Sequence, residues 1–151
     1  MVALERVEWA NPDLQRLVAA QKAEIDARYE DTEEVPDVDP ATVKGAVVAR
    51  VDEQVVASGI LTYPVPSFAE NTAELGRMFV EPEYRRRGIA KELLRELEAI
   101  AVELKLEQLV LETGIKQPEA IGLYTSEGYR IIDNYPPYED SPDSRCFAKA
   151  L

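Results

Sequence analysis

Histidine is absent from all 151 residues of this chain. That absence excludes Ser-His-Asp and Cys-His catalysis and the usual zinc sites. Any proton transfer falls to Glu, Asp, Tyr, Lys or water, and no metal is expected. The single cysteine, Cys146, cannot form an internal disulfide, which suits a reducing compartment. Basic residues are scarce: 17 Lys and Arg against 29 Asp and Glu leave a formal net charge of −12. Nucleic acid is a poor partner for such a balance, because binding it requires basic surface to displace counterions. The acidity either favours cationic partners or simply keeps the chain soluble. No apolar run approaches bilayer-spanning length. The opening "MVALERVEWANPD" carries charges throughout and lacks the apolar core of a secretory signal. A cytoplasmic protein with no membrane association is expected.

What is present is a pattern of alternating element types. Hydrophobic residues at 46% and charged residues at 30% fit a globular chain, and its length suggests a single domain over residues 1–151. "MVALERVEWA" alternates as a strand. "NPDLQRLVAAQKAEIDARYED" has helical spacing, with Asn11 as cap and Pro12 in the first turn. "VKGAVVARV" and "QVVASGILTYP" form a hairpin about Asp52-Glu53, and "AELGRMFVEP" is a strand closed by Pro82. Ile89, Leu93, Leu97, Ile100 and Leu104 then make one apolar helical stripe. "EQLVLETG" is a buried strand, so strand, helix and strand compose a βαβ crossover with parallel flanks. "PEAIGLYTSEG" is a short helix, and "YRIIDNY" and "SRCFAKAL" are closing strands. The fold class is mixed α/β, with a mostly antiparallel sheet and one parallel crossover at its centre.

The stretch "VEPEYRRRGIAKELL" places three arginines where that helix begins. A helix N-terminus is already the positive end of the macrodipole, and a cation there is misplaced by roughly 0.3–1 kcal/mol. Gly88 lets the backbone approach a ligand closely, and the first-turn N–H groups point at it. Arg85, Arg86, Arg87 and Lys91 surround those donors with charge, which suits a diphosphate. The alternative is a solvated cluster neutralising Glu81, Glu83 and Glu92. The spacing matches neither a Walker loop nor the three-glycine dinucleotide fingerprint.

This stretch resembles the acetyl-CoA-binding signature of the GNAT superfamily of N-acetyltransferases, Arg/Gln-x-x-Gly-x-Gly/Ala, with Arg85, Gly88 and Ala90 at its three defined positions. "QPEAIGLYTSEGY" resembles that family's second segment, Asn-x-x-Ala-x-x-Leu-Tyr-x-x-x-Gly-Phe, with Ala120, Leu123, Tyr124, Gly128 and Tyr129 in register. Arg86 stands where Gly is frequent, and Gln117 replaces the common Asn. The resemblance covers essentially the whole chain. It implies a sheet whose two central parallel strands splay apart, with acetyl-CoA as acetyl donor in the gap. The backbone of Met78, Phe79 and Val80 would pair with the pantetheine arm. The diphosphate would lie on Arg86, Arg87, Gly88, Ile89, Ala90 and Lys91, with Gln117 as a further contact to the arm.

The implied activity is acetyl transfer to a primary amine of a small molecule or peptide by direct attack in a ternary complex. The alternative is a non-catalytic acyl-CoA sensor. The amine must first lose a proton, since an alkylammonium titrates near pH 10.4. Glu74 is the candidate base, with Glu112 or water as alternatives and a solvated strand-edge carboxylate as the other reading of Glu74. Tyr124 is the candidate acid for the leaving thiolate, or else a packing residue. The N–H of Phe79 or Val80 would steady the oxyanion. Acceptor loops would carry Tyr29, Tyr63, Tyr135 and Tyr138 beside Glu33, Glu34, Asp37, Asp39, Glu139 and Asp140, walls that suit a cationic amine or are ordinary polar loops. Dimers are common in the family, and a homodimer is among the states this allows.

Overall fold

The computed structural model describes residues 2–28 and 37–151; Tyr29, Glu33 and Glu34 of the first acidic loop lie outside them. The elements run β1 (Val2–Arg6), α1 (Pro12–Arg28), β2 (Val43–Val51), β3 (Gln54–Thr62), β4 (Thr72–Val80), α2 (Ile89–Glu103), β5 (Gln108–Gly114), α3 (Pro118–Ser126), β6 (Arg130–Ile132) and β7 (Ser144–Ala150). The strands form one sheet in the order β1-β2-β3-β4-β5-β7-β6. Every neighbouring pair is antiparallel except β4 with β5. This is the mixed sheet expected from the sequence, with α2 as its crossover.

Local chemistry accounts for the boundaries. Asn11 Oδ1 accepts from the N–H groups of Asp13 and Leu14 at 3.0 and 3.1 Å, capping α1. Asp52 and Glu53 both adopt positive φ, 47° and 71°, as a two-residue hairpin turn between right-twisted strands requires. Helix α2 buries Ile89, Leu93, Leu94, Leu97, Ile100 and Ala101 against the sheet. Each of the large side chains among them contributes on the order of 1.5–3 kcal/mol by its burial. The expected stripe ends one residue early: Leu104 is the C-cap and stands 48% exposed. Lys105 at φ 63° turns the chain toward β5, and Leu106 takes the buried place instead. The strand expected over "YRIIDNY" is also shorter, closing at Ile132. Pro136 and Pro137 follow closely and have no N–H for a ladder.

The sheet is covered on both faces. On one, α2 and α3 enclose Val47, Val56, Leu75, Leu93, Leu97, Leu111, Tyr124 and Phe147. On the other, α1 packs Leu14 and Leu17 on Val48, Ile60 and Phe79. Beside it, Val65, Val110, Tyr135, Cys146 and Ala148 form a smaller cluster under the β3–β4 and β6–β7 loops. No helix among the described residues is long and apolar enough to cross a membrane.

Candidate active site

The parallel pair is brief. β4 and β5 are in register only from Thr72 opposite Gln108 to Glu74 opposite Val110. Beyond that, β4 continues beside β3 and β5 beside β7, so the two strands part and leave an opening between them. A bulge sharpens the departure: Ile60 faces Gly76 and Ser58 faces Phe79, so Arg77 and Met78 oppose Gly59 alone. Arg77 takes φ 55° to make it.

Strand alternation settles which backbone groups face the opening. The N–H of Glu81 donates to the Val56 carbonyl at 2.8 Å, so Phe79, two residues earlier, turns its own N–H toward β3. The backbone of Val80 therefore faces away from β3. Of the two oxyanion donors expected, Phe79 is excluded on this ground and Val80 remains. Two carbonyls of this segment are already engaged. Gln21 Nε2 donates to the Met78 oxygen at 2.9 Å, and Arg85 Nε donates to the Val80 oxygen at 2.7 Å.

The loop leading into α2 leaves a run of backbone donors unpaired among the described residues. Arg86 and Gly88 adopt φ 67° and 81°, a conformation that turns successive N–H groups inward. Gly88 is the N-cap of α2 and offers no side-chain cap. Among the described residues, the backbone N–H groups of Arg86, Arg87, Gly88, Ile89, Ala90 and Lys91 make no hydrogen bond. Arg86, Arg87, Gly88 and Lys91 are exposed, Ala90 is half-buried, and Ile89 anchors the turn at 1% exposure. Arg87 lies over the Tyr84 ring at 5.1 Å and donates to the Glu83 carbonyl.

Arg85 is different. Its guanidinium pairs with Glu24 at 2.6 Å and lies over Phe79 at 5.4 Å, so its charge is neutralised within the fold rather than offered to the loop. None of the three arginines pairs with Glu81, Glu83 or Glu92 among the described residues; Glu81 pairs with Arg16 instead. From α1, Glu24 reaches Arg85 while Arg28 reaches Glu119 at 2.8 Å, so the end of α1 touches both sides of the opening.

Glu74 and Glu112 occupy the same sheet face, because Glu74 opposes Val110 and Glu112 lies two residues further on. Glu74 is not a solvated edge residue. Burial pushes its carboxyl up, while the Tyr135 hydroxyl, donating at 2.6 Å, and the Arg77 charge draw it back. Burial and the neighbouring Glu74 push Glu112 up to about 7, with Ser144 and Arg77 opposing. Tyr124 is 6% exposed, edge-on to Tyr129 at 5.8 Å, and burial raises its hydroxyl well above the usual range, with Glu112 adding to the effect. Gln117 heads α3 without capping it, and its side-chain amide makes no hydrogen bond among the described residues.

The expected acceptor loops divide. Tyr135 and Tyr138 fold inward beside Glu74, whereas Glu139 and Asp140 are exposed and Asp39 caps a short turn at Ala41. Sequence reasoning missed Arg77, Gln21, Glu24 and Phe68. Only Arg77 had a local signal, since the preceding Gly76 in a strand interior marks a bulge.

Comparison with known proteins gives a consistent picture. The family model described as acetyltransferase (GNAT) family matches residues 5–129. Over 84 residues the chain is 37% identical to N-acetyltransferase 8 of Homo sapiens, a match covering 55% of this chain and only 37% of that protein. It is 33% identical over 105 residues to an IAA acetyltransferase of Azospirillum brasilense, covering 70% of this chain and 67% of the relative. A crystal structure from Klebsiella pneumoniae, assigned as an acyl-CoA N-acyltransferase, superposes with a TM-score of 0.83 at 29% identity, covering 100% of this chain and 98% of that one.

Proposed function

The chain belongs to the acetyltransferase (GNAT) family, and we propose that it moves an acetyl group from acetyl-CoA to a primary amine by direct attack in a ternary complex. Membership places it among acyltransferase enzymes; the acceptor class and the residue roles are our reading. The observation that carries it is the combination of an uncapped, cationic helix start at α2 with the parting of β4 from β5. The first supplies unpaired N–H donors and the charges of Arg86, Arg87 and Lys91 for a diphosphate. The second supplies a strand edge for an extended arm along Met78 and Val80, with Gln117 across the opening. Phe79 holds that edge to β3, and Arg85 fixes the loop to α1.

In this reading Glu74 takes the proton of the acceptor ammonium, directly or through water. The Val80 N–H faces the place where charge grows on the acyl oxygen. As the amine nitrogen bonds to the acyl carbon, the carbon–sulfur bond breaks, Tyr124 gives its proton to the departing thiolate, and the second proton of the attacking nitrogen restores the Tyr124 hydroxyl, directly or through water. Burial keeps that hydroxyl protonated at neutral pH but also makes it a weaker acid than the thiol it would form, so its proton moves in concert with proton loss from the attacking nitrogen.

The test is a turnover screen with acetyl-CoA across polyamines, aminoglycosides, amino acids and lysine peptides, following release of free thiol. Transfer to at least one amine is expected. Tyr124→Phe should lower kcat by about 10–100-fold and leave the KM for acetyl-CoA unchanged. Tight acetyl-CoA binding without transfer to any amine would assign the chain to the sensor class instead.

A further inference from the structure

The β6–β7 loop brings one side chain back against Glu74. Tyr135 is 5% exposed. Its ring stands edge-on to Phe68 at 5.2 Å and to Tyr138 at 5.8 Å. The preceding Asn134 donates through Nδ2 to the carbonyls of Tyr138, Ser141 and Ser144, fixing the loop on both sides of the ring. A phenylalanine would fill this stack equally well. The hydroxyl is therefore not needed for packing, and its one hydrogen bond among the described residues is the donation to Glu74 Oε2 at 2.6 Å.

We propose that Tyr135 is a positioning residue that orients the Glu74 carboxylate and reserves it, rather than the neighbouring Glu112, to take the acceptor's proton. The inference rests on the reading of Glu74 as the base and deepens it. The groups facing Glu74 are Arg77 from its own strand, Glu112 from β5, Tyr135 and Tyr138 from the β6–β7 loop, and Cys146 from β7. Two carboxyls this close in a buried site do not ionise independently. Tyr135 donates to one of them only, which breaks the symmetry. Glu74 keeps the Tyr135 hydrogen bond to its charged form, while at Glu112 burial and the Glu74 charge outweigh the Ser144 hydrogen bond and Arg77, so Glu112 holds the proton the pair shares. The ionised member is thus also the one whose direction is fixed by a clamped ring. Below neutrality the protonated Glu112 adds no second charge to the site; above it, the pair approaches double ionisation and a cationic acceptor relieves the repulsion.

Tyr135→Phe removes one oxygen and keeps the ring. We expect the acidic limb of kcat/KM for the amine to move up by about one pH unit, costing up to about tenfold at pH values below that limb and little at pH 9, with the KM for acetyl-CoA unchanged. In a Glu74→Gln background the same substitution should move nothing further. A readout independent of transfer is the carbon-13 NMR titration of the Glu74 carboxyl, identified by its loss in Glu74→Gln. It should move to higher pH in Tyr135→Phe. An unmoved Glu74 titration, or an equal shift of the rate profile without Glu74, overturns the positioning role. Failure of the parent chain to acetylate any amine overturns the reading beneath it, and the titration keeps the two failures apart.

Discussion

Glu112 shows how a single buried carboxyl ties the candidate site to the stability of the whole fold. It holds its proton up to about pH 7, against an ordinary value of 4.5, because burial and then Glu74 disfavour its charge. A group raised in this way stabilises the folded state fully below its unfolded value and loses that contribution as pH rises through the folded one. The window therefore runs from about 4.5 to about 7, and Glu74 is raised in the same sense. Glu103 and Glu127, held down by hydrogen bonds from Arg6 and Arg95, act in the opposite sense, and only as pH falls below the usual carboxylate range. The unliganded protein should lose stability between pH 5 and pH 8, with Glu112 contributing on the order of 1–3 kcal/mol of the fall. Glu112→Gln should flatten the decline, matching the parent near pH 5 and exceeding it at pH 8. Thermal melts at the two pH values check this, and an identical decline in both proteins would clear Glu112 of responsibility. At this scale the sequence was only partly legible. Glu74 and Tyr124 stood out because each occupies a recognisable place in a strand or a motif. Tyr135 sits 61 positions from its partner, and Gln21 lies 57 positions from the carbonyl it engages, so no local pattern announces either pairing.

The elements were far more legible, because periodicity and caps are local. The α2 stripe, the Asn11 cap and the Asp52-Glu53 turn all follow from neighbouring residues, and the βαβ pattern identified the one parallel pair. The errors fell at ends, where continuation is decided by what the chain meets next. Leu104 has the right spacing but lies past the last helical turn, and the strand after α3 stops before its two prolines. The contrast between Leu97 and Leu104 makes the point measurable. Leu97 is fully buried and Leu104 is 48% exposed on the same nominal stripe. Leu97→Ala should cost about 2–5 kcal/mol of unfolding free energy, and Leu104→Ala under about 1 kcal/mol. Urea titrations of the two variants decide it; comparable losses would mean that Leu104 is packed after all. The parting of β4 from β5 belongs to this scale too, yet no periodicity encodes it. Leu75, Leu109 and Leu111 read as ordinary core positions whether or not their strands stay paired. Only the family resemblance carried that expectation.

For the molecule as a whole, the binding of a polyanion is a contest between a local and a global field. The chain carries a formal net charge of −12, so an anionic ligand is repelled at long range. The N–H groups of the α2 start and the exposed Arg86, Arg87 and Lys91 attract at short range. Arg85 adds little, since Glu24 already holds it. Salt screens both contributions, with a Debye length of about 8 Å at physiological ionic strength, so the sign of the salt effect reports which field dominates. In the parent, attraction at the helix start should dominate, and raising salt should weaken acetyl-CoA binding. Replacing Arg86 and Arg87 together by alanine removes two cations and makes the formal charge −14, from −12 − 2. Affinity should fall by about 10–100-fold, on the order of 0.7–1.4 kcal/mol for each arginine removed. The salt dependence should fall to zero or reverse, because what remains at long range is repulsion that salt relieves. Isothermal titration of both proteins with acetyl-CoA at low and physiological salt measures both quantities. If the double variant binds as the parent does, with the same salt slope, the arginines face solvent without a ligand and the diphosphate site lies elsewhere.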